Sequence, residues 1–359
     1  MKKIVILVLF TMCQISFAQT KQFDEIVTYY HSQKNFNGTV MVATNGKIDF
    51  LKGIGIANRQ SGNVIKADSK FKILSITKTF TAVLILQLYQ KGKLDLKATF
   101  GKYFPKYKGD AKDKVTIENL LTYSSGIPNL ADKLDLKTYQ LPLSIDDYID
   151  TYCSNKLDTI PGKKSAYNNG DYIILHKIIE NITGKSFEKN LEERILKPLQ
   201  MQNTNMLKSK DIISGLVNSY TIDEKTTEFK NDEPYYIENF FGSGAMYSTV
   251  EDLLKFDTAI FNHKLLSKNT TEIMIAPNRA LDNVAFGFWF ANEYGVFNTK
   301  FVYRPGGILG SNTNWIHTLD NNKSIIVFSN TNATNLYEMS EQLYLVCKGE
   351  KSTIPHLKK

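Results

Sequence analysis

One short segment of the chain combines a nucleophile with a base. Ser75-Ile76-Thr77-Lys78 places a hydroxyl and an amine three positions apart, and on a helix such positions share one face. A serine hydroxyl becomes a strong nucleophile when an adjacent base takes its proton, and lysine serves as that base when burial or a nearby cation lowers its pKa. The apolar run from Ala82 to Leu88 predicts a buried setting, and a backbone N–H at the helix start can serve an oxyanion.

Two other sequences of the chain have the same Ser-x-x-Lys form. Ser69 precedes Lys72, and Ser186 precedes Lys189. Only Ser75 begins a long apolar helix, whereas the helix predicted after Ser186 is polar and amphipathic. We therefore expect Ser75 to be the nucleophile.

Several segments, in order along the chain, look like those of one enzyme family. The sequences LLTYSSGIP and GAMYSTVEDL resemble the LLTHTSGLP and GGLYSTAEDL segments of the serine β-lactamase-related and penicillin-binding protein superfamily. The segment around Ser75 is similar to its nucleophile helix, and Tyr167-Asn168-Asn169 to its Tyr-x-Asn motif. The matching segments are residues 71–82, 120–128, 161–184 and 244–253.

This resemblance implies a fold and roles for particular residues. The family has an α/β fold of the β-lactamase/transpeptidase type, an antiparallel sheet flanked by helices, with an inserted mainly helical domain and the active site between the two parts. By resemblance, Tyr167 relays protons between Ser75 and the leaving group, with Lys78 as the cation that favours its phenolate form. Asn169 is expected to position Lys78 and a substrate carbonyl.

The third family motif departs from its usual pattern of Lys or His, then Thr or Gly, then Gly. The matching residues here are Arg304-Pro305-Gly306-Gly307. An arginine stays charged and cannot shuttle a proton, but its fork can hold a substrate carboxylate. We expect Gly306 and Gly307 to admit substrate close to the strand, with the Gly307 N–H as a second oxyanion donor. The alternative is that Arg304 lies on a surface strand.

The elements that must position these residues follow from periodicity and turn chemistry. Strand-like runs occur at both ends of the chain, with Asn45-Gly46 as a hairpin turn near the N-terminus, and the middle is mainly helical. This order predicts an α/β domain made of two chain segments, residues 19–95 and 236–350, with residues 96–235 as the helical insertion. Gly184 is expected to end one helix, and Ser248 to Glu251 to open another as a capping box.

The N-terminus has the layout of a secretory signal. Lys2 and Lys3 precede an apolar run, and Ser16-Phe17-Ala18 ends in a small residue. We expect residues 1–18 to be a signal peptide cleaved near Ala18, giving a periplasmic or secreted protein with no stable membrane span. Met12 before Cys13 fits a lipidation site poorly.

Composition excludes several other classes of function. The net charge of +8 comes from lysines spread along the chain, which predicts no nucleic-acid partner. Five scattered histidines form no metal-binding motif, so neither a metal nor another cofactor is expected. Cys153 and Cys347 remain after removal of the signal, and whether they pair stays open, as does the oligomeric state.

Three functional hypotheses remain to be weighed. A Ser-His-Asp hydrolase is disfavoured because no G-x-S-x-G segment occurs. The preferred hypothesis is an exported serine acyl-hydrolase that forms a Ser75 acyl-enzyme on a small-molecule or peptide ester or amide, and Arg304 would favour a carboxylate-bearing one. The alternative is a catalytically weak penicillin-binding or sensor-like protein that retains the fold. Among peptidase, esterase and β-lactamase activities the sequence does not choose, because pocket walls decide substrate.

Overall fold

The computed structural model describes residues 19–354 except 134, 224 and 227. The predicted signal peptide and Cys13 lie outside the described residues. Within that range the strands are β1 (Gly38–Thr44), β2 (Lys47–Ile54), β3 (Ile56–Asn58), β4 (Asn63–Val64), β5 (Phe71–Lys72), β6 (Asn205–Met206), β7 (Tyr220–Ile222), β8 (Phe229–Asn231), β9 (Met246–Ser248), β10 (Trp289–Asn292), β11 (Lys300–Ile308), β12 (Ser311–Thr318) and β13 (Lys323–Ser329).

The α-helices surround a central sheet. They are α1 (residues 19–34), α2 (Thr77–Gln90), α3 (Ile117–Leu121), α4 (Leu130–Lys133), α5 (Ile145–Tyr148), α6 (Asn169–Thr183), α7 (Phe187–Leu191), α8 (Phe241–Gly244), α9 (Val250–Phe261), α10 (Lys268–Ile275) and α11 (Leu336–Cys347). Short 3-10 turns cover Leu74–Ile76, Phe100–Lys102, Asp135–Tyr139, Ile237–Phe240 and Arg279–Leu281. Two π-helical turns cover Ile149–Cys153 and Glu192–Leu196.

The central sheet joins the two ends of the chain. It is six-stranded and antiparallel in the order β10-β11-β12-β13-β1-β2. The predicted hairpin at Asn45-Gly46 is confirmed, with both residues at positive φ, between β1 and β2. The helices α3 to α7 all lie between residues 96 and 235, but the division into two domains at those boundaries stays a prediction.

Hydrophobic alternation in β1 explains the layers. Val40 and Val42 belong to one apolar cluster with α1 and α11, whereas Met41 and Ala43 belong to the other cluster with α2 and α9. Successive side chains of a strand point to opposite faces, so helices cover both faces of the sheet. The second cluster continues into the helical middle of the chain. The site residues therefore lie on elements that share one large core.

The sequence predicted the C-terminus of α6 correctly and the N-terminus of α9 to within one residue. Helix α6 ends at Gly184 in the left-handed conformation, φ 67°, as predicted. The capping box predicted from Ser248 to Glu251 is off by one residue, because Thr249 is the N-cap and accepts a hydrogen bond from the Asp252 N–H. Ser248 lies in β9 and bonds the Thr204 hydroxyl instead.

The cysteines and the surface add two further observations. Cys153 is a buried free thiol and Cys347 a partly buried one, and they do not form a disulfide. Burial raises the pKa of both thiols. No helix in the described part of the chain is long and apolar enough to cross a membrane. Over the same residues, His, Cys, Asp and Glu side chains form no group of three that could hold a metal ion.

Candidate active site

Ser75 lies at the junction between a strand and a buried helix. The 3-10 turn Leu74–Ile76 connects β5 to α2, and the Ile73 N–H donates to the Met246 carbonyl at 2.9 Å. Leu74 has a φ of 51°, the left-handed region that bulky residues rarely adopt. This bend turns the chain so that the Ser75 side chain remains partly exposed while its neighbours Leu74 and Ile76 are buried.

Lys78 is buried and its ammonium donates to three acceptors. The acceptors are the Asn169 Oδ1 at 2.6 Å, the Ser243 carbonyl at 2.7 Å and the Ser75 Oγ at 3.3 Å. Its exposed fraction is 0%, and a buried cation is tolerated only when its donors are satisfied. The predicted proximity of Lys78 and Ser75 on one helix face is therefore present.

Tyr167 and Asn169 flank the start of α6. Between them, Asn168 is the N-cap: its Oδ1 accepts from the Gly170 N–H at 2.9 Å, and its Nδ2 donates to the Ile127 carbonyl at 2.8 Å. These bonds fix the backbone from which Tyr167 reaches Ser75 and Asn169 reaches Lys78.

The hydroxyls of Ser75 and Tyr167 are in direct contact. Their oxygen atoms lie 2.6 Å apart, closer than the Ser75 Oγ is to the Lys78 ammonium. The Tyr167 ring packs against Tyr123 and Trp289, with centroid separations of 4.9 and 6.0 Å, and its side chain is 39% exposed. The structure thus brings Ser75, Lys78, Tyr167 and Asn169 into one cluster.

Arg304 is fully buried beneath this cluster. Its Nε donates to the Ser75 carbonyl at 2.8 Å, and its Nη2 donates to the Tyr167 hydroxyl at 3.4 Å. The guanidinium stacks over Trp289, 4.5 Å from the ring centroid. It has 0% exposure and does not line the cavity, so it is not on a surface strand. Its Nη1 is buried without a hydrogen-bond partner, and contact of the fork with a substrate carboxylate stays a prediction.

Burial and charge act against each other on Arg304. Burial alone would lower the pKa of the guanidinium, but attraction from Tyr123, Tyr167 and Tyr172 raises it above its ordinary value. Burial raises the pKa of Tyr123 and Tyr172, and the Arg304 charge opposes that rise. The arginine is therefore a permanent cation surrounded by phenols.

A buried carboxyl lies on α6 two residues after Asn169. Burial raises the pKa of Asp171 well above its usual range, although a hydrogen bond from the Ser125 hydroxyl at 2.6 Å and the charge of Lys78 oppose the rise. Its second oxygen, Oδ2, is buried without a hydrogen-bond partner. Burial therefore favours the protonated form of this carboxyl.

The two glycines of the third segment occupy different surroundings. A Cβ at Gly306 would lie 2.8 Å from the Ile73 carbonyl oxygen and 3.0 Å from the Ser75 nitrogen. A Cβ at Gly307 would meet nothing closer than 3.9 Å, and Gly307 lines a cavity of about 390 Å³ beside Ser75, Tyr167 and Asn169. Of the two glycines, only Gly307 borders that cavity.

Sequence reasoning missed four contributors to the site. The Ser243 carbonyl accepts from Lys78, and the Asn168 side chain caps the start of α6. The rings of Tyr123 and Trp289 form an aromatic platform. Asn168 could have been found as an Asn directly before a helical pattern. The others left no signal, because a backbone acceptor and aromatic residues distant in sequence become neighbours only in the fold.

Comparison with known proteins supplies the family context. A sequence profile described as Beta-lactamase matches residues 23–346. Teichoic acid D-alanine hydrolase of Staphylococcus aureus is 27% identical over 263 residues, 72% of this chain and 64% of that protein, so the match spans just under two thirds of the relative. The resemblance inferred from the sequence segments is confirmed.

Solved structures agree on the fold. The octameric penicillin-binding protein homologue from Pyrococcus abyssi superposes with a TM-score of 0.79 at 22% identity, covering 92% of this chain and 78% of that one. D-amino acid amidase from Ochrobactrum anthropi SV3 gives 0.79 at 18% identity, covering 94% and 99%. The predicted α/β, β-lactamase/transpeptidase-like fold is confirmed.

Substitution of each glycine should show that Gly306 supports the Ser75 backbone and that Gly307 contacts the substrate. Gly306→Ala should displace the Ser75 backbone, because the methyl group has no space, and should lower kcat by about tenfold or more while costing roughly 1–3 kcal/mol of stability. Gly307→Ala should leave the unfolding temperature unchanged and act mainly on KM. Steady-state kinetics with thermal unfolding of both variants test this, and equal effects of the two substitutions would contradict the assignment.

Proposed function

The chain belongs to the Beta-lactamase family of serine hydrolases, and we propose that it is an exported enzyme that forms an acyl-enzyme on Ser75 with an ester or amide substrate. The observation that carries the proposal is the 2.6 Å contact between the Ser75 and Tyr167 hydroxyls beside the buried ammonium of Lys78. A nucleophile, a proton acceptor and a supporting cation are the minimum that acyl transfer requires.

The hydrogen bonds support Tyr167 as the group that takes the serine proton. All three described acceptors of Lys78 are oxygens, including the Ser75 Oγ, so the lysine acts as an ammonium donor in this arrangement. The Tyr167 oxygen is the closer partner of Ser75 and also accepts from Arg304. Two cations next to one phenol favour its deprotonated form.

The acyl transfer then proceeds in two balanced steps. The Ser75 Oγ attacks the carbonyl carbon as its proton moves to the Tyr167 phenolate, and the backbone N–H groups of Ser75 and Gly307 stabilise the oxyanion. Tyr167 returns the proton to the departing alkoxide or amine, which leaves an ester on Ser75. Water attacks that ester by the same route, so the acid is released and the hydroxyl is restored.

Arg304 has an electrostatic and positioning role in this scheme. It binds the Ser75 carbonyl and the Tyr167 hydroxyl with one rigid guanidinium, which keeps the nucleophile and the proton acceptor in register. This role differs from the carboxylate-binding role that the sequence suggested.

Export is the part of the proposal that rests on the N-terminal sequence alone. Lys2 and Lys3, the apolar run that follows and the small residue Ala18 favour a signal peptide, and a relative named teichoic acid D-alanine hydrolase is compatible with this location. We propose a periplasmic or secreted location.

The nucleophile assignment makes a direct prediction. Ser75→Ala should abolish hydrolysis and covalent labelling by a fluorophosphonate, because the Ser75 hydroxyl contacts both the Tyr167 hydroxyl and the Lys78 ammonium. Tyr167→Phe and Lys78→Ala should lower the acylation rate by about 10²-fold or more. Stopped-flow release of p-nitrophenol and mass spectrometry of the adduct measure both effects.

Ser186→Ala is the matched control, since Ser186 begins the competing Ser-x-x-Lys sequence. It caps α7 through the Lys189 N–H, so its loss should cost about 1 kcal/mol of stability and no activity. Turnover that persists in folded Ser75→Ala protein contradicts the proposal. Labelling of Ser75 without turnover of any ester or amide would instead support the penicillin-binding or sensor-like alternative.

Arg304 should influence the pH dependence of catalysis. Arg304→Gln removes a cation from beside the phenol, so the acid limb of the kcat/KM profile should move to higher pH and kcat should fall by about 10- to 100-fold. Arg304→Lys keeps the charge and should leave the acid limb close to that of the wild type. Unfolding temperatures accompany the profiles, and an acid limb that does not move in folded Arg304→Gln protein contradicts this role.

Export predicts a defined mature N-terminus. The full chain expressed in a bacterium with two membranes should be recovered outside the cytoplasm and should begin at Gln19 or within about two residues of it. A chain started at Gln19 behind an initiator Met is the control and should remain in the cytoplasm. N-terminal sequencing of fractionated cells tests this, and an exported fraction that still begins at Met1 would be incompatible with cleavage.

A further inference from the structure

The cavity beside Ser75 is polar on one side and apolar on the others. Ser75, Tyr167 and Asn169 form the polar side. The remaining walls carry Leu74, Leu136, Tyr139, Phe240, Ile308 and Leu309, with glycines 244 and 307 at its edges. A cavity of about 390 Å³ with one reactive edge and apolar walls has the size and character of a small-molecule site.

The aromatic wall of this cavity is built as a rigid unit. The rings of Tyr139 and Phe240 stack in parallel, 4.1 Å apart with 6° between their planes. The buried side chain of Asn239 donates to the Leu141 carbonyl at 2.7 Å and accepts from the Leu143 N–H at 3.1 Å. The segment that contains Tyr139 to Leu143 and the segment that contains Asn239 and Phe240 are thus held together without a substrate. Binding then orders fewer side chains, so it loses less conformational entropy.

The cations near the cavity are already engaged. The Arg304 Nε and Nη2 are bound to Ser75 and Tyr167, and its Nη1 is buried and does not line the cavity. Lys72 donates to the Tyr235 hydroxyl at 3.1 Å, and Lys78 is buried among its three acceptors. The cavity-lining residues in the described part of the chain include no lysine, arginine, aspartate or glutamate, and the proposed Tyr167 phenolate lies on the polar side with Ser75. Against the apolar walls, a charged substituent would lose its hydration without gaining a counter-ion.

We propose that this cavity binds the uncharged, apolar acyl group of the ester or amide that acylates Ser75. The inference rests on the proposed function and specifies its substrate class: aliphatic or aromatic acyl groups of several carbons, without a carboxylate or an ammonium next to the scissile bond. It predicts that uncharged acyl substrates react faster than penicillin-like or D-aminoacyl substrates, which carry such charges.

A series of p-nitrophenyl esters tests the class directly. Each buried methylene contributes about 0.8 kcal/mol, close to fourfold, so kcat/KM should rise about tenfold from acetate to butyrate and further to hexanoate. The p-nitrophenyl monoester of succinic acid, which places a carboxylate at the end of the acyl chain, should react at least about tenfold more slowly than butyrate. A comparison of methyl D-alaninate with methyl propionate measures the effect of the ammonium group alone, and methyl propionate should be the better substrate.

Two variants and a control assign the effect to the cavity walls. Leu309→Arg adds a cation to the wall, so it should lower the rate with butyrate and raise that with the succinate monoester, changing their ratio by about 100-fold. Phe240→Ala should flatten the dependence on chain length. Leu141→Ala, two residues after the cavity-lining Tyr139 but 71% exposed, should leave the series unchanged.

The outcomes separate this inference from the proposed function. If Ser75 is labelled and esters are hydrolysed, but charged substrates are preferred or the rate is independent of acyl length, the apolar acyl site is wrong and the acyl-hydrolase stands. If the rate follows the alcohol instead of the acyl group, the cavity binds the leaving group and the assignment is also wrong. If no ester acylates Ser75, the proposed function itself has failed.

Discussion

The burial of the Lys78 ammonium is the constraint on which the rest of the site depends. A cation removed from water must find acceptors, and those of Lys78 come from the 3-10 turn before its own helix and from α6 and α8, which are far away in the chain. These three hydrogen bonds of Lys78 hold these elements at hydrogen-bonding distance from its ammonium group. The same bonds hold the Ser75 hydroxyl against Tyr167, so the stability of the helical core and the geometry of the site have one cause.

Some of the backbone strain in the described residues lies around this constraint. Leu74, Tyr123, Phe241 and Leu309 all have a positive φ, between 42° and 53°, although none is a glycine. Each conformation costs on the order of 1–3 kcal/mol and persists only when surrounding contacts determine it. Leu74 precedes the nucleophile, Leu309 lines the cavity, and Tyr123 supports Tyr167. The packed core thus supplies the energy that keeps the site in a shape the free chain would avoid.

The parts predicted from sequence are those with local causes. Ser75 and Lys78 share a face because of helical spacing, the hairpin forms because Asn45-Gly46 accepts positive φ, and α6 stops at Gly184 for the same reason. The family resemblance added Tyr167 and Asn169, which no local rule connects to Ser75. The orientation of Arg304 could not be predicted, because it depends on rings that meet only after folding.

The charges of the buried site point to the state in which it works. Lys78 and Arg304 bring two cations into a region of low dielectric, and burial raises the pKa of the nearby Asp171 carboxyl. The raised pKa makes that carboxyl a weaker counter-charge than an exposed one. Tyr123 and Tyr172 are also buried, and burial raises their pKa, so they remain neutral phenols. Tyr167 is the phenol with solvent access and with hydrogen bonds to both Ser75 and Arg304. These contacts place Tyr167 between the two cations and the Ser75 hydroxyl, which supports the phenolate role proposed for it.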